Sequence, residues 1–216
     1  MRPRVKICCI ASKQEARTAV SFGASALGLV AAMPSGPGPI PDDLILGIAA
    51  AVPPPVATFL LTCETRAEAI IAHHRRTLTN TLQLVDAPAP GACAAIRGAL
   101  PAIKIVQVIH IRDERSIDEA LPAAEQVDAL LLDSGNPALA VKELGGTGRV
   151  HDWRLSRKIV EQSPIPVFLA GGLCAANVRQ AIDRVQPFGV DVCSGVRTNG
   201  KLDPKKLDAF FSAVWE

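Results

Sequence analysis

The sequence predicts a closed, all-parallel (β/α)8 barrel, and three observations carry that expectation. Short β-rich runs alternate with longer segments of helical period, eight such units follow one another without a linker, and small-residue turns end the last two apolar runs. Strict alternation requires parallel pairing and right-handed crossovers. Eight units favour closure into a TIM-type α/β barrel over an open doubly wound sheet, which more naturally holds about five or six strands.

Taken in order, the strands are expected at 4–9, 26–30, 56–61, 81–85, 104–109, 128–133, 167–170 and 190–193. The helices between and after them are expected at 12–22, 41–52, 65–76, 91–100, 116–125, 152–161, 176–185 and 204–215. The 216 residues fit a single barrel domain spanning 1–216, near the short end for this architecture but long enough to bury a full core. Two segments following strands are longer than the others. Residues 31–40 are rich in Pro and Gly, and residues 134–151 contain Gly145-Gly146-Thr147-Gly148. On the strand C-terminal face of such a barrel both are candidate substrate covers. Phe210, Phe211 and Trp215 are expected to pack beneath the barrel.

Composition narrows the function classes. With 49% hydrophobic and 20% charged residues this reads as an ordinary globular chain, and no apolar run approaches the ~18 residues of a membrane span. The start, Met1-Arg2-Pro3-Arg4, runs into a strand without the apolar stretch of a secretory signal, so a cytoplasmic location is expected. A formal charge of +2 gives no reason to expect a nucleic-acid partner. The basic cluster His73-His74-Arg75-Arg76 suits a helix C-terminus. The six cysteines, at 8, 9, 63, 93, 174 and 193, show no zinc spacing and read as thiols. The chain is expected to be a monomer or homodimer whose partner is a small phosphosugar.

That last expectation rests on Gly171-Gly172 and Ser194-Gly195. Each turn closes an apolar run and leads towards a helix, so freed backbone amides can attract a phosphate dianion. Side by side after the seventh and eighth strands, they occupy the phosphate position of many such barrels.

Chemistry is expected around the same mouth. Alternation along the first strand puts Lys6 and Cys8 on one face and Val5, Ile7 and Cys9 on the other. The second set suits the helical layer, leaving Lys6 and Cys8 inside and Cys8 at the mouth. An ammonium beside a thiol favours the thiolate, so Lys6 can tune Cys8 as a base. The sixth strand, Ala129-Leu130-Leu131-Leu132-Asp133, is apolar until its last residue, which sits across the barrel from Cys8. Its surroundings can raise the carboxyl pKa and make it a proton donor; the other reading is a turn residue for Ser134-Gly135. Asp191 and Cys193 share a face of the eighth strand, and closure would let Asp191 pair with Lys6.

These residues, in this order, resemble the phosphoribosylanthranilate isomerase family of tryptophan biosynthesis over nearly the whole chain. Lys6-Ile7-Cys8-Cys9-Ile10 is similar to that family's K-I-C-G-I, and Gly23-Ala24-Ser25-Ala26-Leu27-Gly28 to its G-A-D-A-x-G. Further matches are Leu131-Leu132-Asp133, Gly145 to Gly148 with Asp152-Trp153, Leu169 to Leu173 with Asn177-Val178, and Gly189 to Val192 with Ser194-Gly195-Val196. The resemblance implies an aldose-ketose isomerase, an intramolecular oxidoreductase that performs a cofactor-free Amadori rearrangement of N-(5-phosphoribosyl)anthranilate. It implies Cys8 as base and Asp133 as acid. Substrate and phosphate contacts are expected at Lys6, Gly146, Gly171, Gly172, Asp191, Ser194, Gly195 and Arg197.

Five motifs depart from the pattern. The family's S-P-R, whose arginine meets the anthranilate carboxylate, reads Ser35-Gly36-Pro37. Its V-Q-L-H-G reads Leu82-Gln83-Leu84-Val85-Asp86. The glycine of K-I-C-G-I is Cys9, the first serine of S-S-G is Cys193, and the glutamate after S-G-V is Arg197. Either Arg197 or Arg149 supplies the missing cation, or the chain is a paralogue acting on another phosphorylated aldose or aldosylamine. A non-catalytic phosphosugar binder is the third reading, disfavoured by the presence of both Cys8 and Asp133. His151, where the family carries an aromatic residue, adds a polar group near the same mouth.

Overall fold

The computed structural model describes residues 2–34, 36–135 and 150–216. Its centre is a closed barrel of eight parallel strands in sequential order. These are β1 (Arg4–Ile7), β2 (Ala26–Val30), β3 (Ala57–Thr62), β4 (Thr81–Leu84), β5 (Lys104–His110), β6 (Ala129–Asp133), β7 (Val167–Leu169) and β8 (Gly189–Val192). The helices wrapped around it are α1 (Lys13–Ser21), α2 (Asp42–Ala49), α3 (Ala67–Thr77), α4 (Ala92–Ala99), α5 (Arg115–Ala124), α6 (Trp153–Gln162), α7 (Val178–Val185) and α8 (Pro204–Trp215). The expected alternation is therefore present, with strand and helix ends displaced by one to a few residues.

Period-2 alternation sorts the strand side chains into two layers. Outward residues such as Ile7, Leu27, Leu60, Leu82, Leu130 and Val190 pack against Ile45, Ile70, Ile96, Ile159, Ile182 and Phe210 from the helices. Inward residues form a smaller cluster that includes Phe59, Val106, Leu131 and Phe168. Phe210 and Phe211 are buried as expected, while Trp215 is 40% exposed and covers Gly23.

Local chemistry sets the helix starts. Ser12 accepts a hydrogen bond from Glu15 N to open α1, Asp152 accepts from Arg154 N to open α6, and Asp203 caps α8 ahead of Pro204. The basic end of α3 is more than a solvated terminus. His73 Nε2 and Arg76 Nε both reach the Asp42 carboxylate, at 3.0 and 2.7 Å, tying α3 to the start of α2.

One expectation about the eighth unit is corrected. Ser194-Gly195 does not lead directly into a helix but opens a single 3-10 turn, Ser194–Val196. A small antiparallel hairpin, β9 (Arg197–Thr198) with β10 (Lys201–Leu202), intervenes before α8. Among the described residues no helix is long and apolar enough to cross a membrane.

Candidate active site

At the C-terminal end of the barrel lies a cavity enclosing about 670 Å³ of empty space, open solvent included. Cys8, Cys9, Gln83, Asp133, Gly171, Gly172, Asp191, Cys193 and Ser194 line it, with Val30, Met33, Leu61, Gly36 and Pro37 on the apolar side. Cys8 and Asp133, the expected base and acid, thus share one cavity.

The seam that closes the barrel builds the first wall. Lys6 is the register partner of Asp191, and Cys8 N donates to Val192 O at 2.8 Å, carrying the ladder one residue past the end of β1. The pleat therefore keeps both Lys6 and Cys8 inside. Lys6 Nζ donates to Asp191 Oδ1 at 2.9 Å and lies 5.2 Å from the centroid of the Phe59 ring. Burial opposes a charge on Lys6, but the adjacent Asp191 carboxylate outweighs it and holds the ammonium well above the ordinary lysine range. Gly28 on β2 leaves room for this pair of interior side chains. A Cβ there would stand 2.8 Å from Cys8 Sγ and 3.0 Å from Lys6 Nζ.

Opposite, Asp133 ends β6. Burial is the main cause that raises its carboxyl above the usual aspartate range, against the opposing Ser134 N–H, which donates to Asp133 Oδ1 at 2.7 Å. Its register partner His110 ends β5, with Nε2 3.0 Å from Val85 O. A carboxyl that favours its proton is suited to general acid catalysis.

The third side is formed by the two small-residue turns. Gly171 and Gly172 adopt φ of +84° and +63°, a left-handed pair that any side chain would strain. Gly195 sits against the carbonyl of Leu173, where a Cβ would collide with backbone, so this glycine lets the turns after β7 and β8 touch. Of the expected anion contacts, Gly171, Gly172 and Ser194 line the cavity, whereas Gly195 supports it from behind. His151 stands beside Gly171. Its Nε2 is 2.7 Å from Ser156 Oγ, and burial lowers its pKa to about 4, so it is a neutral imidazole. Gly146 and Arg149 lie outside the described residues, as does Ser35.

Two further expectations are corrected. Cys9 does not face the helical layer. The chain leaves the strand after Cys8, and Cys9 takes φ +60°, which swings its side chain to the cavity wall with Sγ 2.7 Å from Cys193 Sγ. Arg197 does not enter the cavity. Its guanidinium donates to both Glu15 carboxylate oxygens at 3.1 Å, to Gly200 O at 3.0 Å, and to the carbonyls of Cys8 and Cys9. Those bonds hold the peptides of the left-handed turn, offsetting a conformation that costs a non-glycine residue roughly 1–2 kcal/mol. Among the described residues no Arg or Lys lines the cavity.

Gln83 is the site residue that the sequence reading passed over. It points inward from β4, and its Oε1 is buried with no hydrogen-bond partner among the described residues. The alternation of Thr81, Gln83 and Val85 through a buried strand was the signal that could have found it.

Comparisons with known proteins place the chain in a family and a fold. The family model described as N-(5'phosphoribosyl)anthranilate (PRA) isomerase matches residues 72–213. The N-(5'-phosphoribosyl)anthranilate isomerase of Microcystis aeruginosa is 35% identical over 205 residues, covering 94% of this chain and 93% of the relative. Among solved structures, the Thermotoga maritima phosphoribosyl anthranilate isomerase aligns with a TM-score of 0.82 at 30% identity, covering 99% of this chain and 98% of that one. Another such isomerase was solved in complex with reduced 1-(o-carboxyphenylamino)-1-deoxyribulose 5-phosphate. It aligns at a TM-score of 0.80 and 28% identity over 99% of this chain and 98% of that one.

Proposed function

Because the chain belongs to the N-(5'-phosphoribosyl)anthranilate isomerase family, we propose that Cys8 and Asp133 are the base and acid with which it converts that substrate to 1-(2-carboxyphenylamino)-1-deoxyribulose 5-phosphate. The observation that carries this reading is the convergence of a thiol, a half-buried carboxyl and two small-residue turns on one cavity.

The reaction needs two proton transfers at different atoms. The protonated Asp133 carboxyl gives its proton to the ribose ring oxygen as the C1–O bond breaks and the amine nitrogen lone pair forms C1=N. The Cys8 thiolate then removes the proton from C2, and the C2–H electron pair neutralises the iminium to give an enolamine. That species becomes the product ketone by gaining a proton at C1 and losing one from the C2 hydroxyl. Exchange of the proton from Cys8 back to Asp133 restores the starting state, so nothing is oxidised or reduced by the protein.

Binding divides along the cavity. Gly171, Gly172 and Ser194 offer main-chain and hydroxyl donors to the phosphate, and Asp191 keeps Lys6 charged beside Cys8 while presenting its second oxygen to the sugar. Gln83, with an unsatisfied Oε1, faces the same space as an acceptor for a sugar hydroxyl or the bridging N–H. The aromatic ring fits the apolar side formed by Val30, Met33 and Leu61, without the arginine that the family's S-P-R places there.

The test is turnover of N-(5-phosphoribosyl)anthranilate by the wild type, Cys8→Ala and Asp133→Asn. Losses of 10²-fold or more in kcat for both variants, with binding of a product analogue retained, are expected. A wild type that binds ribose 5-phosphate but does not turn this substrate over defeats the reading.

A further inference from the structure

The two places where this chain carries a cysteine against its family's pattern, Cys9 for glycine and Cys193 for serine, meet in space. They come from opposite ends of the sequence, one just past β1 and the other just past β8, where the barrel closes. Their Sγ atoms are 2.7 Å apart, within ~0.7 Å of a bonded sulfur pair. Cys9 is a second oddity by itself, because it holds a left-handed φ of +60° in a position that suits glycine. Arg197 fixes that backbone through the Cys9 carbonyl, so the thiol is aimed at its partner by structure outside the pair.

We propose that Cys9 and Cys193 are an oxidative modification site, a dithiol that a hydroperoxide closes into an intramolecular disulfide across the β1–β8 seam while Cys8 remains a free thiol. Both sulfurs line the open cavity, which admits a small oxidant. The division of labour follows from their surroundings. The sulfur contact with Cys9 holds Cys193 below the ordinary thiol range, against burial and with help from Arg197. The same contact with Cys193, followed by one with Cys8 and by burial, pushes Cys9 well above it.

Cys193 is the more accessible of the two cysteines and is assigned as the attacking thiolate. It takes one oxygen of the peroxide to become a sulfenic acid, and the other oxygen leaves as water after gaining a proton. The sulfur of Cys9 then displaces the sulfenic hydroxyl, which departs as a second water with the Cys9 proton. Two thiols and one peroxide give one disulfide and two waters. Cys8 is the competing partner for Cys9, but it is the next residue along the chain and points into the barrel, held there by the Cys8 N–Val192 O ladder bond. The other cysteines, 63, 93 and 174, belong to the ends of β3, to α4 and to the loop after β7.

The experiment uses the reduced full chain, treated with one to two equivalents of hydrogen peroxide, alkylated and mapped by peptide mass. The expected result is a fall from six free thiols to four, a Cys9–Cys193 cross-linked peptide, alkylated Cys8, and complete reversal by dithiothreitol. The bridge would close almost the whole chain into a loop, so a melting-temperature rise of roughly 5–15 °C on oxidation is expected. Cys193→Ser and Cys9→Gly, which restore the family pattern, should show neither the cross-link nor the shift. Should a variant fail to fold, the wild-type map decides alone. Six thiols remaining, a bridge that includes Cys8, or Cys193 oxidised to sulfinic acid with Cys9 still free would each overturn the proposal. None of these readings requires turnover, so they stand apart from the catalytic assignment.

Discussion

Lys6 and Asp191 are register partners across the seam where β1 meets β8, and their side chains form a 2.9 Å ion pair inside the barrel. Lys6 is fully buried, so its ammonium has no water to fall back on. Lys6→Met would strand the Asp191 carboxylate and should cost ~3–5 kcal/mol in urea unfolding, as breaking one partner of a buried pair does. The double variant Lys6→Met/Asp191→Asn should cost clearly less than the sum of the two single changes. A single-variant cost below ~1 kcal/mol would show that the pair does not hold the seam.

Asp133 makes a pH prediction whose sign is fixed by its raised pKa. Burial, the chief cause, disfavours its charge in the folded state. Its contribution to stability is thus fully present below the unfolded value of ~3.9 and is lost as pH rises through the folded pKa. Asp133→Asn cannot ionise, so it should be more stable than the wild type at neutral pH and nearly equal to it below about pH 4. Turnover should move the opposite way, with the wild-type rate falling on the alkaline side as the acid loses its proton. An Asn variant destabilised at pH 7 would contradict the assignment of Asp133 as an acid that favours its proton.

Gly28 sets the space in which Cys8 works. Gly28→Ala would put a methyl 2.8 Å from Cys8 Sγ and 3.1 Å from Cys8 Cα, so the thiol and not only a flexible tip must shift. The expected outcome is a kcat loss of at least roughly tenfold, because small displacements of a catalytic group are costly. Phosphate affinity should change little. Equal losses in kcat and in phosphate binding would place the damage elsewhere.

Arg197 separates a clamp from a ligand. Although burial alone would raise the Glu15 carboxyl, its hydrogen bonds from Arg197 and from the Leu202 and Ala11 amides hold it below the usual range. The stability they provide is present above the unfolded glutamate pKa and is lost as pH falls through the folded value. Arg197→Met should cost about 2–4 kcal/mol at pH 7 by leaving the Glu15 carboxylate without its cation and the Cys8 and Cys9 carbonyls unmet. Its KM for the phosphosugar should stay within tenfold of wild type. A large KM increase with unchanged stability would return Arg197 to the binding site.

How far the site was readable in the residues depends on how local its causes are. Cys8 and Asp133 end runs of alternating or apolar residues, and a strand in a closed parallel barrel has only one inner face, so their direction followed from counting. The paired glycines at 171 and 172 announced a turn, and the structure gave it its left-handed backbone. Cys9 defeated the count because one residue with φ +60° resets the alternation, and nothing in Lys6-Ile7-Cys8-Cys9-Ile10 marks the break. Arg197 was misassigned because its partner Glu15 is 182 residues away, a separation over which a loose charge and a matched one look alike. The hairpin of β9 and β10, with two residues in each strand, is too short to show a period.

By itself, the sequence determined the eight-fold alternation, the inward direction of Lys6, Cys8, Asp133 and Asp191, and the small-residue turns that line one side of the cavity. Each of these follows from backbone period or from glycine's freedom, both of which act over a few residues. Only the tertiary structure decided that Cys9 meets Cys193, that Arg197 clamps Glu15, and that Gln83 Oε1 is without a partner among the described residues. Those outcomes arise from barrel closure, which sets distances between residues that the chain keeps far apart.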